Sequence, residues 1–301
     1  MKKEIFKGSA VALVTPMDET GAIDYRTLER LITFQLDHGT DAILVNGTTG
    51  ESATLSDQEK LEVLSFAVKQ VKGRVPVLAG TGSNDTVHAA ELSKEAERLG
   101  ADALLLVTPY YNKASQEGLV CHFTKIADSV RLPVLLYNVP TRTGVDIAPE
   151  TYQRLAGHPG IYGVKEAGGS LSRIAKTAAL CGEDFHIYSG NDDQTLAVLA
   201  LGGKGVISVL ANVMPDSMSR MCSAFFAGDL KESRRLQLAL LDMMEAMFWD
   251  VNPIPVKAAL SLMGMGEENY RLPLTPMEEG KKRRLREIMI KKCLHIPKNL
   301  L

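Results

Sequence analysis

The sequence predicts an α/β fold, a (β/α)8 (TIM) barrel with a C-terminal helical extension, from three observations. Short apolar runs recur at 10–14, 42–45, 75–79, 103–107, 134–137, 161–164, 186–188 and 206–209. A helical pattern separates each run from the next. The runs are apolar almost throughout rather than alternating, as in parallel strands buried on both faces, and parallel strands covered by helices on one side close on themselves.

The elements follow in chain order. After the first strand, Asp24 caps a helix, Leu28, Leu31, Ile32 and Leu36 share one face, and Gly39 stops it. The second helix opens on Ser56-Asp57-Gln58-Glu59, in which Ser56 and Glu59 satisfy each other's backbone donors, ahead of Leu61, Leu64, Val68 and Val71. Pro149 stands where a first helical turn tolerates proline. The catalytic barrel takes residues 1–225, and 226–301 form a C-terminal helical region rather than an independent domain. Within it, 229–247 carries Leu230, Leu236, Leu240, Leu241, Met244 and Met247 as one apolar stripe, which is core or subunit interface rather than a cofactor box. Pro253 and Pro255 interrupt the pattern, and 256–263 and 276–293 read as two further helices.

Composition narrows the function classes. The 301 residues suffice for one large core, and 45% apolar content with a formal charge of −2 gives no bulk attraction to nucleic acid or a membrane. Lys281-Lys282-Arg283-Arg284 follows Glu278 and Glu279 inside a helical pattern, so it reads as a solvated helix face. The apolar run after Met1-Lys2-Lys3 contains Thr15 and Pro16 and is too short for a signal segment or a membrane span. Cys121, Cys181, Cys222 and Cys293 lie far apart without paired spacing, which fits reduced thiols in the cytoplasm and neither disulfides nor zinc.

In such a barrel, chemistry gathers at the C-terminal strand ends. The sixth run ends on Lys165, followed by Glu166-Ala167-Gly168-Gly169. Burying an unpaired ammonium costs several kcal/mol, and losing the proton brings a lysine from ~10.4 toward ~7–8. A neutral buried amine is a nucleophile for carbonyl carbon; the alternative is a lysine whose head snorkels to a carboxylate. Strand two runs into Gly47-Thr48-Thr49-Gly50-Glu51-Ser52, whose glycines admit backbone N–H groups to a small anion and whose hydroxyls add hydrogen bonds. That loop suits a carboxylate and lacks the ending of a nucleotide-binding loop. Strand four ends in Pro109-Tyr110-Tyr111-Asn112, strand five in Tyr137-Asn138-Val139-Pro140-Thr141-Arg142-Thr143-Gly144, and strand seven in Ser189-Gly190-Asn191-Asp192. A Schiff base on Lys165 would acidify the adjacent carbon to an enamine, which attacks an aldehyde. Tyr137 could shuttle the protons, with Thr48 holding its hydroxyl; alone, it would read as a rim tyrosine.

Gly47-Thr48-Thr49-Gly50-Glu51-Ser52, Tyr137-Asn138-Val139-Pro140 and Gly163-Val164-Lys165-Glu166 resemble the pyruvate-dependent class I aldolases of the dihydrodipicolinate synthase and N-acetylneuraminate lyase superfamily, over nearly the whole length. Pro140-Thr141-Arg142-Thr143-Gly144 and Asn252-Pro253-Ile254-Pro255-Val256-Lys257 are similar to the synthase branch. The resemblance implies condensation of pyruvate with aspartate 4-semialdehyde to 4-hydroxy-tetrahydrodipicolinate, in lysine biosynthesis via diaminopimelate, without metal or organic cofactor. By residue match it makes Lys165 the Schiff-base residue and Tyr137, Thr49 and Tyr111 the proton relay. Thr48 and Thr49 bind the pyruvate carboxylate, Arg142 anchors the semialdehyde, and Gly190 and Ile207 line the pyruvate pocket. Asn191 replaces an acidic residue common there. In the family Tyr111 reaches into the neighbouring subunit's site, so a homotetramer, a dimer of dimers, is implied. Ser52, Ala53, Asn84 and Tyr110 match the interfacial site where some relatives bind inhibitory lysine. There Lys60 replaces a histidine and His88 a glutamate, so the site is expected to be wrong in sign for a cationic amino acid and inhibition weak or absent.

Three other readings stay open. An aldolase of the same superfamily acting on 2-keto-3-deoxy sugar acids or sialic acid would keep Lys165 and Tyr137, and Arg142 argues against it. A phosphate-binding barrel isomerase is disfavoured because Gly202-Gly203-Lys204-Gly205 precedes strand eight, at the opposite face from the mouth. A catalytically inactive binding barrel would not retain nucleophile, relay and anion loop together.

Overall fold

The computed structural model of the chain describes residues 2–297. Eight parallel strands close a barrel in sequence order: β1 Gly8–Ala12, β2 Ala42–Val45, β3 Val77–Gly80, β4 Ala103–Val107, β5 Val134–Asn138, β6 Ile161–Glu166, β7 His186–Ser189 and β8 Gly205–Ser208, with β8 pairing back onto β1. The helices are α1 Tyr25–Asp37, α2 Asp57–Val71, α3 Thr86–Arg98, α4 Gln116–Ala127, α5 Pro140–Thr143, α6 Pro149–Ala156, α7 Leu171–Cys181, α8 Thr195–Ala200, α9 Pro215–Phe226, α10 Leu230–Ala239, α11 Leu241–Ala246, α12 Ile254–Leu262 and α13 Glu279–Lys291. The third strand starts at Val77 rather than at residue 75. Pro76 lacks an N–H for the ladder, though its carbonyl accepts from Ile43 N at 3.0 Å.

The helix ends form as their residues dictate. Asp24 accepts from Thr27 N at 3.0 Å, and Ser56 with Glu59 makes the reciprocal capping box. Pro149 occupies the first turn of α6.

Strand alternation divides the apolar residues into two cores. Val11, Ile43, Val45, Leu104, Leu106, Leu136, Val164 and Ile187 face outward beneath the helices, whereas Ala10, Ala12, Ala42, Leu44, Ala103, Leu105, Leu135, Tyr137, Tyr188 and Ile207 fill the inside. At the bottom the Phe6 and Tyr188 rings stack with centroids 4.3 Å apart, and the Tyr188 hydroxyl donates to Phe6 O at 2.7 Å. One irregularity interrupts the counting: Val134 pairs with Ile161 but Leu135 pairs with Gly163, so β6 carries an extra residue. Ile161 and Val164 therefore both face outward, and Lys165 turns inward. Gly163 is required there, because a Cβ would lie 1.9 Å from His186 O.

Two expectations for the C-terminal region are revised. The stripe at 229–247 divides at Leu240 into α10 and α11, although Leu240 N still donates to Leu236 O at 3.0 Å and Met244 N to Leu240 O at 2.9 Å. Met243, Met244 and Met247 are buried. The basic run on α13 is not simply a solvated face. Lys281 pairs with Asp250 at 2.9 Å, Lys282 pairs with Glu268, and Arg284 lies 4.4 Å from the Trp249 ring centre, because the segment facing α13 supplies acids and an aromatic. No helix among the described residues is long and apolar enough to cross a membrane.

Between α3 and α4, His122 is 5% exposed; its Nδ1 shares a 2.8 Å hydrogen bond with the Thr86 hydroxyl and its Nε2 is buried without a partner. Burial pushes the imidazole down to about 4, against an opposing pull from Asp85. The unfolded chain takes up this proton below about 6.5 and the folded chain not until about 4, so His122 removes stability as pH falls through that window. His122→Phe should therefore lose less of its thermal midpoint between those two pH values than the parent. Parallel pH dependence in the two proteins would take His122 out of the account.

Candidate active site

Lys165 and Tyr137 are direct register partners on β6 and β5, and both point into the barrel at its C-terminal end. Lys165 is 4% exposed, with Nζ 4.5 Å from the centre of the Tyr137 ring. Its amine donates to no described residue, so the snorkelling alternative is not realised. Both side chains border a cavity of about 540 Å³ that Thr49, Arg142, Gly190 and Asn252 also line. Gly190 clears space for the lysine: a Cβ there would lie 2.8 Å from Ala167 Cβ and 3.2 Å from Lys165 Cε.

Two buried carboxylates flank the lysine. Asp192, on the cavity wall, accepts through Oδ2 from Val209 N at 3.1 Å and Leu210 N at 2.9 Å, while Oδ1 is buried without a partner. Burial pushes its carboxyl up, and backbone donors and the charge of Lys165 pull it back. Glu166 alternates outward, where its carboxylate accepts from the Tyr152 hydroxyl at 2.8 Å, Asn138 Nδ2 at 2.9 Å and Gly168 N at 2.7 Å. Burial raises Glu166 as well. This network fixes the strand end behind Lys165. The sequence signal for it was adjacency to the lysine; the three donors come from distant or loop positions.

The 47–52 loop is tied to the C-terminal region. Asn252 Nδ2 donates to Thr49 Oγ1 at 3.0 Å, and the Arg142 guanidinium donates to Asn252 O at 3.3 Å. Asn252 thus touches a residue expected for each substrate, and in the sequence only its place in the segment similar to the synthase branch marks it. Beyond this wall lies a second cavity, about 410 Å³, lined by Thr48, Ser52, Ala53, Lys60, His88 and Tyr110 among others.

Several expected neighbours are not brought together. Thr48 and Tyr137 both border the second cavity, yet no hydrogen bond joins them among the described residues, so Thr48 does not hold the phenol. Consecutive Thr48 and Thr49 border different cavities. Ile207 is fully buried inside the barrel rather than on the cavity surface. Tyr111 is 90% exposed and borders neither cavity, and exposed Asn84 borders neither. The like-charge repulsion expected from Lys60 is offset, because its amine turns to Asp57 at 3.2 Å and His88 Nε2 meets the same carboxylate at 2.7 Å. Among the described residues, no group of three His, Cys, Asp or Glu side chains is arranged to hold a metal ion.

An unengaged amine beside a phenol, at the open end of a (β/α)8 barrel, is the equipment of a lysine-dependent aldolase or lyase. The chain belongs to the dihydrodipicolinate synthetase family, whose family model matches residues 5–292. It is 54% identical over 285 residues to 4-hydroxy-tetrahydrodipicolinate synthase of Geobacter sulfurreducens, covering 95% of this chain and 98% of that relative. With the synthase of Trichlorobacter lovleyi it shares 52% identity over the same shares of the two chains. The fold matches the crystal structure of dihydrodipicolinate synthase from Aquifex aeolicus with a TM-score of 0.95 at 45% identity, across 97% of this chain and 99% of that one.

Gly190→Ala should push the Lys165 side chain off its position and lower kcat/KM by ~10²-fold, the order that a misplacement of about 1 Å causes. Near-parent kinetics in that variant would show that the lysine has room to spare.

Proposed function

We infer that the chain is a lyase that condenses pyruvate with aspartate 4-semialdehyde to 4-hydroxy-tetrahydrodipicolinate, the aldol-type step that feeds diaminopimelate and lysine synthesis. The observation that carries the residue assignment is the pairing of Lys165 with Tyr137 across β5 and β6, the amine facing the cavity unengaged. Lys165 attacks the ketone carbon of pyruvate. Tyr137 supplies the proton with which the carbinolamine oxygen leaves as water, and the resulting imine withdraws electrons so that the methyl carbon loses a proton. The enamine then forms the new carbon–carbon bond to the aldehyde carbon of the semialdehyde, whose oxygen takes up a proton to become the hydroxyl. The amine of the semialdehyde displaces the Lys165 amine from the imine carbon, closing the ring and freeing the lysine.

The remaining roles are assigned on the same reading. Thr48 and Thr49 take the pyruvate carboxylate, Thr49 and Tyr111 extend the relay, and Gly190 and Ile207 shape the pyruvate pocket. Arg142 takes the carboxylate of the semialdehyde. It is exposed at the cavity and makes no ion pair with a described residue, which argues against a purely structural arginine and favours this aldehyde over a sugar acid. Tyr111 needs a second copy of the chain to meet a site, because its own lies out of reach; a dimer of dimers would supply that copy.

Incubation with pyruvate and borohydride should label Lys165 alone, and an adduct on Lys204 or Lys257 in the peptide map would refute the assignment. In the same assay Tyr137→Phe should keep the lysine but slow turnover by ~10²–10⁴. An unchanged kcat removes Tyr137 from the relay.

Arg142→Lys replaces a planar fork by a point charge, so it should raise KM for the semialdehyde far more than for pyruvate. Equal rises for both substrates would mark Arg142 as structural.

A further inference from the structure

The barrel mouth holds a second buried lysine. Lys257, on α12, meets Glu51 at 2.5 Å, with the two side chains 2% and 1% exposed. Its ammonium also donates to Asn269 O at 2.7 Å and lies 5.0 Å from the Tyr270 ring centre. Burial pushes Lys257 below its ordinary value, and Glu51 pulls it back. An ion pair this dry is a poor source of stability, since desolvating two charges offsets most of their attraction. Its particular capacity is geometric: a charged pair fixes direction and distance, where an apolar contact can slide.

What it fixes is the 47–52 loop. Glu51 sits at φ +54, in the left-handed region that a non-glycine residue keeps only where its surroundings impose it. The loop is held at two other points, Gly50 O accepting from the Thr15 hydroxyl at 2.7 Å and Thr49 Oγ1 accepting from Asn252. Asn252 and Lys257 stand at the start of the same C-terminal segment, so that segment grips the loop twice. Because Thr49 Oγ1 accepts from Asn252, its own proton is directed elsewhere, free to serve the cavity that Thr49 borders.

We propose that Glu51 and Lys257 are positioning residues for the pyruvate carboxylate, an ion pair through which the C-terminal helical region sets the shape of the anion loop. The proposal rests on the reading of that loop as the carboxylate site. Positioning and mere packing separate in two variants. Lys257→Met leaves a buried carboxylate unpaired, whereas the double variant Glu51→Met with Lys257→Met replaces both charges by apolar side chains of similar length, an exchange that often restores stability. Thermal midpoint, KM for each substrate and borohydride trapping on Lys165 at saturating pyruvate are measured for each.

The single variant should show a lowered midpoint and a raised pyruvate KM. The double variant should regain the midpoint while its pyruvate KM stays about tenfold above the parent's, with the semialdehyde KM within about twofold and trapping on Lys165 intact. Recovery of both midpoint and pyruvate KM, or an equal rise for both substrates, overturns the proposal. Should the double variant not fold, Glu51→Gln and Glu51→Met decide. Glutamine keeps an acceptor for Lys257 and methionine does not, so pyruvate KM should stay near the parent's in the first and rise in the second; equal values refute positioning. Failure of the parent itself to trap pyruvate on Lys165 sinks the proposal together with the reading it rests on, and is recognised by the absence of any adduct.

Discussion

The volume inside the closed barrel constrains everything at its mouth. Eight parallel strands enclose little more than the side chains that face inward, and here several of those are alanines: Ala10, Ala12, Ala42 and Ala103. Small residues inside let three large aromatics and a lysine share the axis without overpacking. Phe6 and Tyr188 take the lower end, and their stack with its hydroxyl-to-carbonyl bond closes it. The upper end is left to Tyr137 and Lys165, which lie against each other because the β5–β6 register sets them side by side. The outward-facing residues pack the helices, so the contacts that hold the helical layer and the Lys165–Tyr137 pair occupy opposite faces of the same strands.

The C-terminal region belongs to the site as much as the strands do. Met244, Phe248 and Asn252 border the cavity that Lys165 faces, and Asn252 touches both Thr49 and Arg142. Polar groups at the mouth would otherwise compete for water; instead each buried charge has been given a neighbour from another element, Glu51 from α12, and Glu166 from α6 and the β5 end. Lys165 is the exception among these groups: no hydrogen-bond partner among the described residues engages its amine.

Local signals carried most of the fold. Strand runs, the Asp24 cap, the Ser56–Glu59 capping box and Pro149 each depend on a few adjacent residues, and each forms as the sequence indicates. Motifs at the strand ends likewise pointed to Lys165, Tyr137 and Thr49, which border one cavity, while Thr48 borders the other. What could not be read locally was direction. Whether the Lys60 amine at the second cavity is left alone or paired with Asp57 depends on its rotamer, and whether His88 joins that carboxylate depends on where α2 meets α3. Whether Thr48 and Thr49 share a cavity depends on the turn taken after Asn46, which lies at φ +57. The Glu51–Lys257 pair joins residues about two hundred positions apart, for which no periodicity gives a sign. The apolar stripe at 229–247 was visible, but its break at Leu240 lies within continuous helical hydrogen bonding and leaves no residue of unusual type to announce it.

The extra residue in β6 gives the chain an unequal tolerance to different kinds of sequence change. Replacing one inward or outward side chain by another alters a single contact, and neighbouring packing can absorb it. Gain of a residue between Gly163 and Lys165 is a different event. Loss of the extra residue only removes the bulge and leaves the facing as it is, whereas a gain with the bulge unchanged moves the strand end on by one position and rotates it by half a turn. Lys165 would then face the helices and Glu166 the cavity, leaving the composition almost untouched while exchanging an amine for a carboxylate at the cavity. Substitution along β6 is therefore limited where space is lacking, as at Gly163, while the number of residues that follow the bulge is held by which side chain must face the cavity.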